Sequence, residues 1–350
     1  MNVLRWIVIP LRYLCRMSVF GNRRGTLVVQ PLQGIGDMVW HLPHVHAIAA
    51  QCADGAVTVL TKPRSQADKI FAADPAVSDI LWLERNPGRH DGLTGLLRLV
   101  RQLRKQRFAE AWLLHGSSRY ALALMLAGIP VTHGYGRGLQ AALLSDTRFL
   151  PKAQCRSHPL QMGALMLALQ GIPVTPEMGR LSVSPAARDL VTGRFGGNPR
   201  PWIGFGIGSS EPVKQWGAER FGGLAALMLR EISGTIFLIG GSAEAAMAET
   251  IKALAAVPGR VVNATDLRLD QTAALLAQCS LYVGNDTGAL NIAAAAGTRA
   301  IGLFGGSQPL TYSEQICPVS PAEGAGDTTG MAAITIEQVL AATVRIGLTA

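Results

Sequence analysis

The stretch 280–307, SLYVGNDTGALNIAAAAGTRAIGLFGGS, constrains this chain more than any other part of it. A short apolar run (281–283) leads into the polar turn Asn285-Asp286-Thr287-Gly288. An alanine-rich segment follows, ends at Gly297 and gives way to a second apolar run (300–304). That order reads as strand, polar turn, buried small-residue helix, glycine stop and strand. A parallel βαβ unit delivers its turn to the carboxyl end of a sheet, where the helix N-terminus favours anionic groups. Thr287 and Gly288 offer a hydroxyl and unobstructed amides there. Asp286 is too acidic for direct phosphate contact. It either caps the helix, which the turn taken alone slightly favours, or orients a nearby cation or a sugar hydroxyl.

The same alternation fills the rest of the chain. Apolar runs at 26–30, 57–60, 80–83 and 111–114 read as strands in the first half, and those at 202–207, 235–239 and 261–263 in the second. Helical segments are expected from 38 onward, at 96–108, 219–230, 245–256, 271–278 and 335–346. Gly196-Gly197-Asn198-Pro199-Arg200-Pro201 breaks the pattern. The 350 residues suffice for two cores. The expected organisation is a basic segment 1–24, an α/β domain 25–185, a linker 186–201 and a second α/β domain 202–350. Two such arrays place a cleft between their strand ends.

The turn after the first strand, Gly34-Ile35-Gly36-Asp37, invites comparison with a dinucleotide fingerprint and fails it. The third glycine is absent, and the run 57–60 ends in Thr61-Lys62 without an acidic partner for a ribose. Asp37 either caps its helix or faces whatever occupies the cleft. His115-Gly116-Ser117-Ser118-Arg119 follows another strand to the same sheet edge, and Tyr135-Gly136-Arg137-Gly138 is a further loop bearing a cation. His41, His44 and His46 look like a metal cluster, but only 41 and 44 share a helix face and no HExxH pattern accompanies them. They read as structural.

A net charge of +9 calls for an acidic partner: nucleic acid, an anionic membrane or a phosphorylated substrate. Nucleic acid is set aside, since no zinc-finger spacing, RNP-type motif or basic recognition helix is present and only 6% of residues are aromatic. Segment 1–24 punctuates bulky apolar residues with Arg5, Arg12, Arg16, Arg23 and Arg24. Its uncharged run is far too short to span a bilayer, and it reads either as an interfacial anchor or as an extension packed on the domain. The cationic face of 96–108 is either simply solvated or adds to those arginines. Five scattered cysteines without a CxxC fit a reduced, cytosolic compartment.

Four segments in this order resemble the heptosyltransferases of glycosyltransferase family 9. They are Gly36-Asp37 with Pro43, Gly208-Ser209-Ser210 with Lys214 and Trp216, Gly240-Gly241 with Glu244, and Asn285-Asp286-Thr287-Gly288 with Phe304-Gly305. The resemblance implies the GT-B fold, two Rossmann-like domains facing across a cleft. It also implies inverting, metal-independent transfer of a heptose from an ADP-activated donor to a lipopolysaccharide-type, lipid-linked glycan acceptor. Such an enzyme works in the cytoplasm at the anionic inner-membrane surface and needs no cofactor.

By that resemblance Asp37 is the general base and Lys214 neutralises the diphosphate leaving group, aided by Ser209, Ser210, Thr287 and Gly288. Glu244, beside Gly241 and Gly208, meets the donor ribose, and Asp286 lies near the donor sugar and phosphate. Gly36, His115, Arg119 and Arg137 fall to the acceptor side. One departure stands out: Asn291 occupies the place where the family usually has a histidine, so charge near the phosphate is lost. A different nucleotide-sugar donor, an epimerase and a non-catalytic binding module are the alternatives. Retention of Asp37, Lys214, Glu244 and Asp286 argues against the last.

Overall fold

The computed structural model describes residues 23–175, 179–309, 311–321 and 330–347; the expectations for 1–22 fall outside them. The chain divides into two compact units, Met1–Gly179 and Arg180–Ala350.

The first unit is built on a five-stranded parallel sheet. Its strands are β1 (Thr26–Gln30), β2 (Val57–Thr61), β3 (Val77–Trp82), β4 (Glu110–Leu113) and β5 (Val131–Gly134), in the order β3-β2-β1-β4-β5. The chain winds outward from β1 to β3, then returns to the other side of β1. The topological switch therefore lies between β1 and β4, where ligands bind in open α/β sheets. β1 is buried at every position and apolar in its middle, as a strand covered on both faces must be.

Helix Ile35–Trp40 follows β1 and stops at His41, because Pro43 lacks the N–H that a continuing helix would use. Pro43 instead sits in the first turn of the next helix, Leu42–Ala49. Helix Pro159–Leu169 packs against that pair at Gly163, where a Cβ would come within 2.6 Å of His44 Cε1.

The second unit carries a six-stranded parallel sheet: β6 (Trp202–Gly206), β7 (Thr235–Ile239), β8 (Val261–Asn263), β9 (Leu281–Asn285), β10 (Ala300–Leu303) and β11 (Ile316–Val319). Its order is β11-β10-β9-β6-β7-β8, so its switch lies between β6 and β9. Phe205, Phe221, Trp216, Leu238 and Val283 lie in one buried cluster under this sheet.

Two features differ from the sequence reading. The stretch expected to be a linker, 186–201, is largely the helix Pro185–Phe195. It belongs to the second unit and packs on helix Leu269–Leu276, burying Ala187, Val191 and Phe195 at four-residue spacing. Only the run from Gly196 to Pro201 is irregular. The edge strands β5 and β11 were not expected either. Both are four residues long, and Pro318 inside β11 is tolerated because an edge strand has one side free of ladder bonds.

Two helical glycines give opposite expectations. Gly193 has open space where a Cβ would go, so Gly193→Ala should stabilise by about 0.5–1 kcal/mol through helix propensity. Gly163→Ala gains the same propensity but drives a methyl into a sealed imidazole, and overpacking costs about 1–3 kcal/mol. Urea melts should show the first variant more stable than the parent and the second less.

Candidate active site

Each switch point gathers chemistry-bearing side chains. In the second unit, the segment after β6 carries Lys214 and the turn after β9 carries Asp286. The Lys214 ammonium lies 3.3 Å from Asp286 Oδ2 and 3.0 Å from Glu211 Oε1. Burial opposes the charge, yet these two carboxylates hold the lysine pKa above its ordinary value. Ser307, from the loop after β10, donates its hydroxyl to Asp286 Oδ2 at 2.6 Å. Helix Gly288–Ala295 is N-capped by Thr287, so Asp286 is not the cap that the turn alone suggested. Its carboxylate orients a cation.

These loops are tied together by Asn285, whose side chain is fully buried. Its Nδ2 donates to the carbonyls of Ile207 and Gly208, both at 3.2 Å, and to Gln215 Oε1 at 3.0 Å. Its Oδ1 accepts from the Trp216 amide at 3.2 Å. Ser209 Oγ donates to the Glu211 carbonyl and accepts from the Glu211 amide, which shapes the turn before Lys214. Ser210 is exposed beside it. Glu244 follows β7, accepts the Gly241 amide at 2.7 Å and lies against Gly208, where a Cβ would stand 3.3 Å from its carboxyl carbon. Asn291 is buried and turns back along its own helix, donating to the Thr287 carbonyl at 3.1 Å.

In the first unit, Asp37 occupies the third position of helix Ile35–Trp40, with Gly36 just before it. Gly34 holds the N-cap position, and Asp37 Oδ2 reaches back to accept its amide at 2.9 Å. Burial raises the Asp37 pKa, partly offset by that bond. A carboxylate with a raised pKa is a better base, so the helix start and proton acceptance are compatible here. His115, after β4, lies on the other side of the same switch. Burial lowers its pKa, followed by the charges of Arg137 and Lys62, which places both cations near it. Arg137 crosses Gly116 closely enough that a Cβ there would meet its Cδ at 2.7 Å. Arg119 is differently employed: its guanidinium donates to the carbonyls of His90 and Gly92 at 2.8 and 2.6 Å.

The histidines are structural, as their spacing suggested. His44 Nε2 donates to the Leu160 carbonyl at 3.0 Å, which leaves its Nδ1 to accept from His41 Nδ1 at 3.0 Å. His46 pairs with Asp74 at 2.7 Å. Among the described residues, no three His, Cys, Asp or Glu side chains are grouped to hold a metal.

The profile of glycosyltransferase family 9 (heptosyltransferase) matches residues 96–325. The chain belongs to this family. Over 227 residues it is 30% identical to the lipopolysaccharide heptosyltransferase 2 of Salmonella typhimurium, a stretch covering 61% of this chain and 64% of that relative. Among solved structures it resembles the E. coli ADP-heptose LPS heptosyltransferase II, with a TM-score of 0.72, 24% identity and coverage of 92% and 98% of the two chains. A family 9 glycosyltransferase from Veillonella parvula superposes with a TM-score of 0.75 at 20% identity, over 93% of this chain and 97% of the other. The fold is thus α/β of the GT-B type, with two Rossmann-like units.

Several side chains of these two clusters were not singled out from sequence: Asn285 as a tie, Gln215, Ser307, Glu211 and Lys62. Asn285 ends strand β9 and the others lie in segments that follow parallel strands, which is the one signal that marks them.

Two expectations follow. Burial pushes the His44 pKa from 6.5 down to about 4. The unfolded chain binds that proton more readily, so the stability from a neutral His44 is complete above pH 6.5 and lost as pH falls toward 4. The loss amounts to about 3 kcal/mol. His44→Gln should be less stable at neutral pH yet show a flatter decline across this window in urea melts. Glu211 is 56% exposed and competes with any anion for Lys214. Glu211→Gln should therefore tighten ADP binding by up to about fivefold in calorimetry, the most an exposed partner is worth.

Proposed function

We propose that this chain is an inverting, metal-independent glycosyltransferase that moves a heptose from ADP-heptose to a lipopolysaccharide-type glycan acceptor. The observation that carries this reading is the Lys214–Asp286 pair at the switch point of the second sheet, ringed by the Ser209-Ser210 turn and the Thr287-Gly288 helix start. A departing nucleoside diphosphate needs its growing negative charge met by a cation and by preorganised N–H and O–H donors. Lys214 supplies the cation, and Ser209, Ser210, Thr287 and Gly288 supply donors. Glu244 meets the ribose.

The first unit serves the acceptor. Asp37 takes the proton of the acceptor hydroxyl as its oxygen attacks the anomeric carbon, the bond to the diphosphate breaks, and the configuration inverts in one displacement. Lys62 and Arg137, beside a neutral His115, form a cationic rim for a phosphorylated or acidic glycan, while Arg119 is committed to the His90 and Gly92 carbonyls. When the diphosphate arrives, Lys214 trades Glu211 for phosphate, because Glu211 is the exposed partner and Asp286 is fixed by Ser307.

Asn291 favours a second reading, the same reaction with another nucleotide-sugar. Its amide is spent on the Thr287 carbonyl and brings no charge to the donor. A donor screen across ADP-, UDP- and GDP-sugars separates the two. We place the enzyme in the cytoplasm at the anionic inner-membrane surface, on the strength of the arginine-rich segment 1–24. No helix among the described residues is long and apolar enough to cross a membrane.

Asp37→Asn tests the mechanism. The amide keeps a group able to accept the Gly34 amide, so melting temperature and ADP affinity should hold, while a lost general base costs roughly 10²–10⁴ in rate. Transfer in the parent should survive EDTA. Near-normal turnover in Asp37→Asn would remove it from the mechanism, and loss on chelation that magnesium restores would count against a metal-free site.

A further inference from the structure

Helix Gly92–Gln106 packs Leu96, Leu99, Val100 and Leu103 into the core of the first unit. On its outer side Leu93, Leu97, Arg101 and Lys105 recur every four residues and so form one stripe. Leu93 is 79% exposed, the most of any large apolar side chain among the described residues, and Leu97 is 51% exposed. Residues 92–107 include five basic side chains (Arg98, Arg101, Arg104, Lys105, Arg107) and no acid. Arg104 is anchored, donating to the Leu126 carbonyl, and Arg98 donates to the Arg89 carbonyl. Arg101, Lys105 and Arg107 form no ion pair among the described residues.

The described chain begins beside the end of this helix. The Arg24 amide donates to the Arg107 carbonyl at 3.2 Å, and the Arg23 guanidinium to the Phe108 carbonyl at 3.1 Å. Segment 1–24 therefore joins the molecule at the basic end of the stripe, and it too holds five arginines and no acid. Two acid-free segments cannot neutralise one another. Both call for an outside anion, and the exposed leucines call for an apolar phase next to it. A bilayer of anionic phospholipid offers the two together, whereas a nucleic acid offers only the charge.

We infer that helix Gly92–Gln106 is a membrane-docking surface. Leu93 and Leu97 enter the boundary between headgroups and acyl chains, and Arg98, Arg101 and Lys105 meet lipid phosphates. This deepens the membrane placement proposed above and is independent of the transfer chemistry.

The test is co-sedimentation of the full chain with vesicles of phosphatidylethanolamine and phosphatidylglycerol, against vesicles of phosphatidylcholine alone. The parent should bind the anionic vesicles selectively. The pair Arg101→Glu with Lys105→Glu should weaken that binding at least about tenfold. The pair Leu93→Ser with Leu97→Ser should weaken it several-fold, with melting temperature kept in both. Deleting 1–22 should leave residual binding that the helix variants remove. The inference is overturned if the parent ignores anionic vesicles, if the deletion alone abolishes binding while both helix variants bind like the parent, or if only the charge variant matters. In that last case the partner is a soluble polyanion, which competition by duplex DNA would identify. ADP binding measured on the same samples reports on the donor site separately, so a failed transferase reading and a failed docking surface remain distinguishable.

Discussion

One fully buried side-chain amide in each unit decides where the reactive loops sit. In the second unit Asn285 spreads its two amide hydrogens over three acceptors in the segment after β6, and its oxygen takes the Trp216 amide. In the first unit Gln140 accepts the Gly136 amide and donates to the carbonyls of His115 and Ser117. Both side chains are completely buried, so a broken bond leaves a group with no water to turn to, at about 1–3 kcal/mol each. Loops held in this way have one arrangement rather than many. Lys214 and His115 inherit their positions from that constraint.

The same economy of charge governs the chemistry. Lys214 rests between Glu211 and Asp286, so its part-buried ammonium is not left unpaired. One of those partners is exposed to water and the other is pinned by Ser307, so the two carboxylates hold the lysine unequally. Asp37 is arranged in the opposite sense. It has a single amide partner and a raised pKa, a combination that stabilises a helix start modestly and leaves the second oxygen able to take a proton. The histidines beneath it close the helix corner by bonding to each other and to a backbone carbonyl, and burial keeps them neutral.

Much of this was legible in the residues. The apolar runs located nine of the eleven strands, and a strand followed by a glycine- or serine-rich turn located Asp37, Ser209, Lys214, Glu244 and Asp286. Patterns of that kind are local: periodicity and turn chemistry are written within a dozen residues and survive into any fold that uses them. The edge strands β5 and β11 escaped because short strands with one free side need little apolar character. The helix Pro185–Phe195 escaped because its buried face is small and its partner, helix Leu269–Leu276, lies more than seventy residues away in the chain.

The sequence by itself determined the two parallel α/β arrays, the family and the carboxylates and lysine placed at strand ends, since each depends on neighbours close in the chain. Only the tertiary structure decided what those groups do to one another. It turned Asp286 from a helix cap into a partner of Lys214, committed Arg119 to backbone carbonyls, and brought Ser307, Gln215 and Lys62 to the sites. It also set Arg23 and Arg24 beside the end of the basic helix. Such pairings join residues up to 85 positions apart, and the energy that selects them comes from burial and charge in the assembled unit, which no local pattern records.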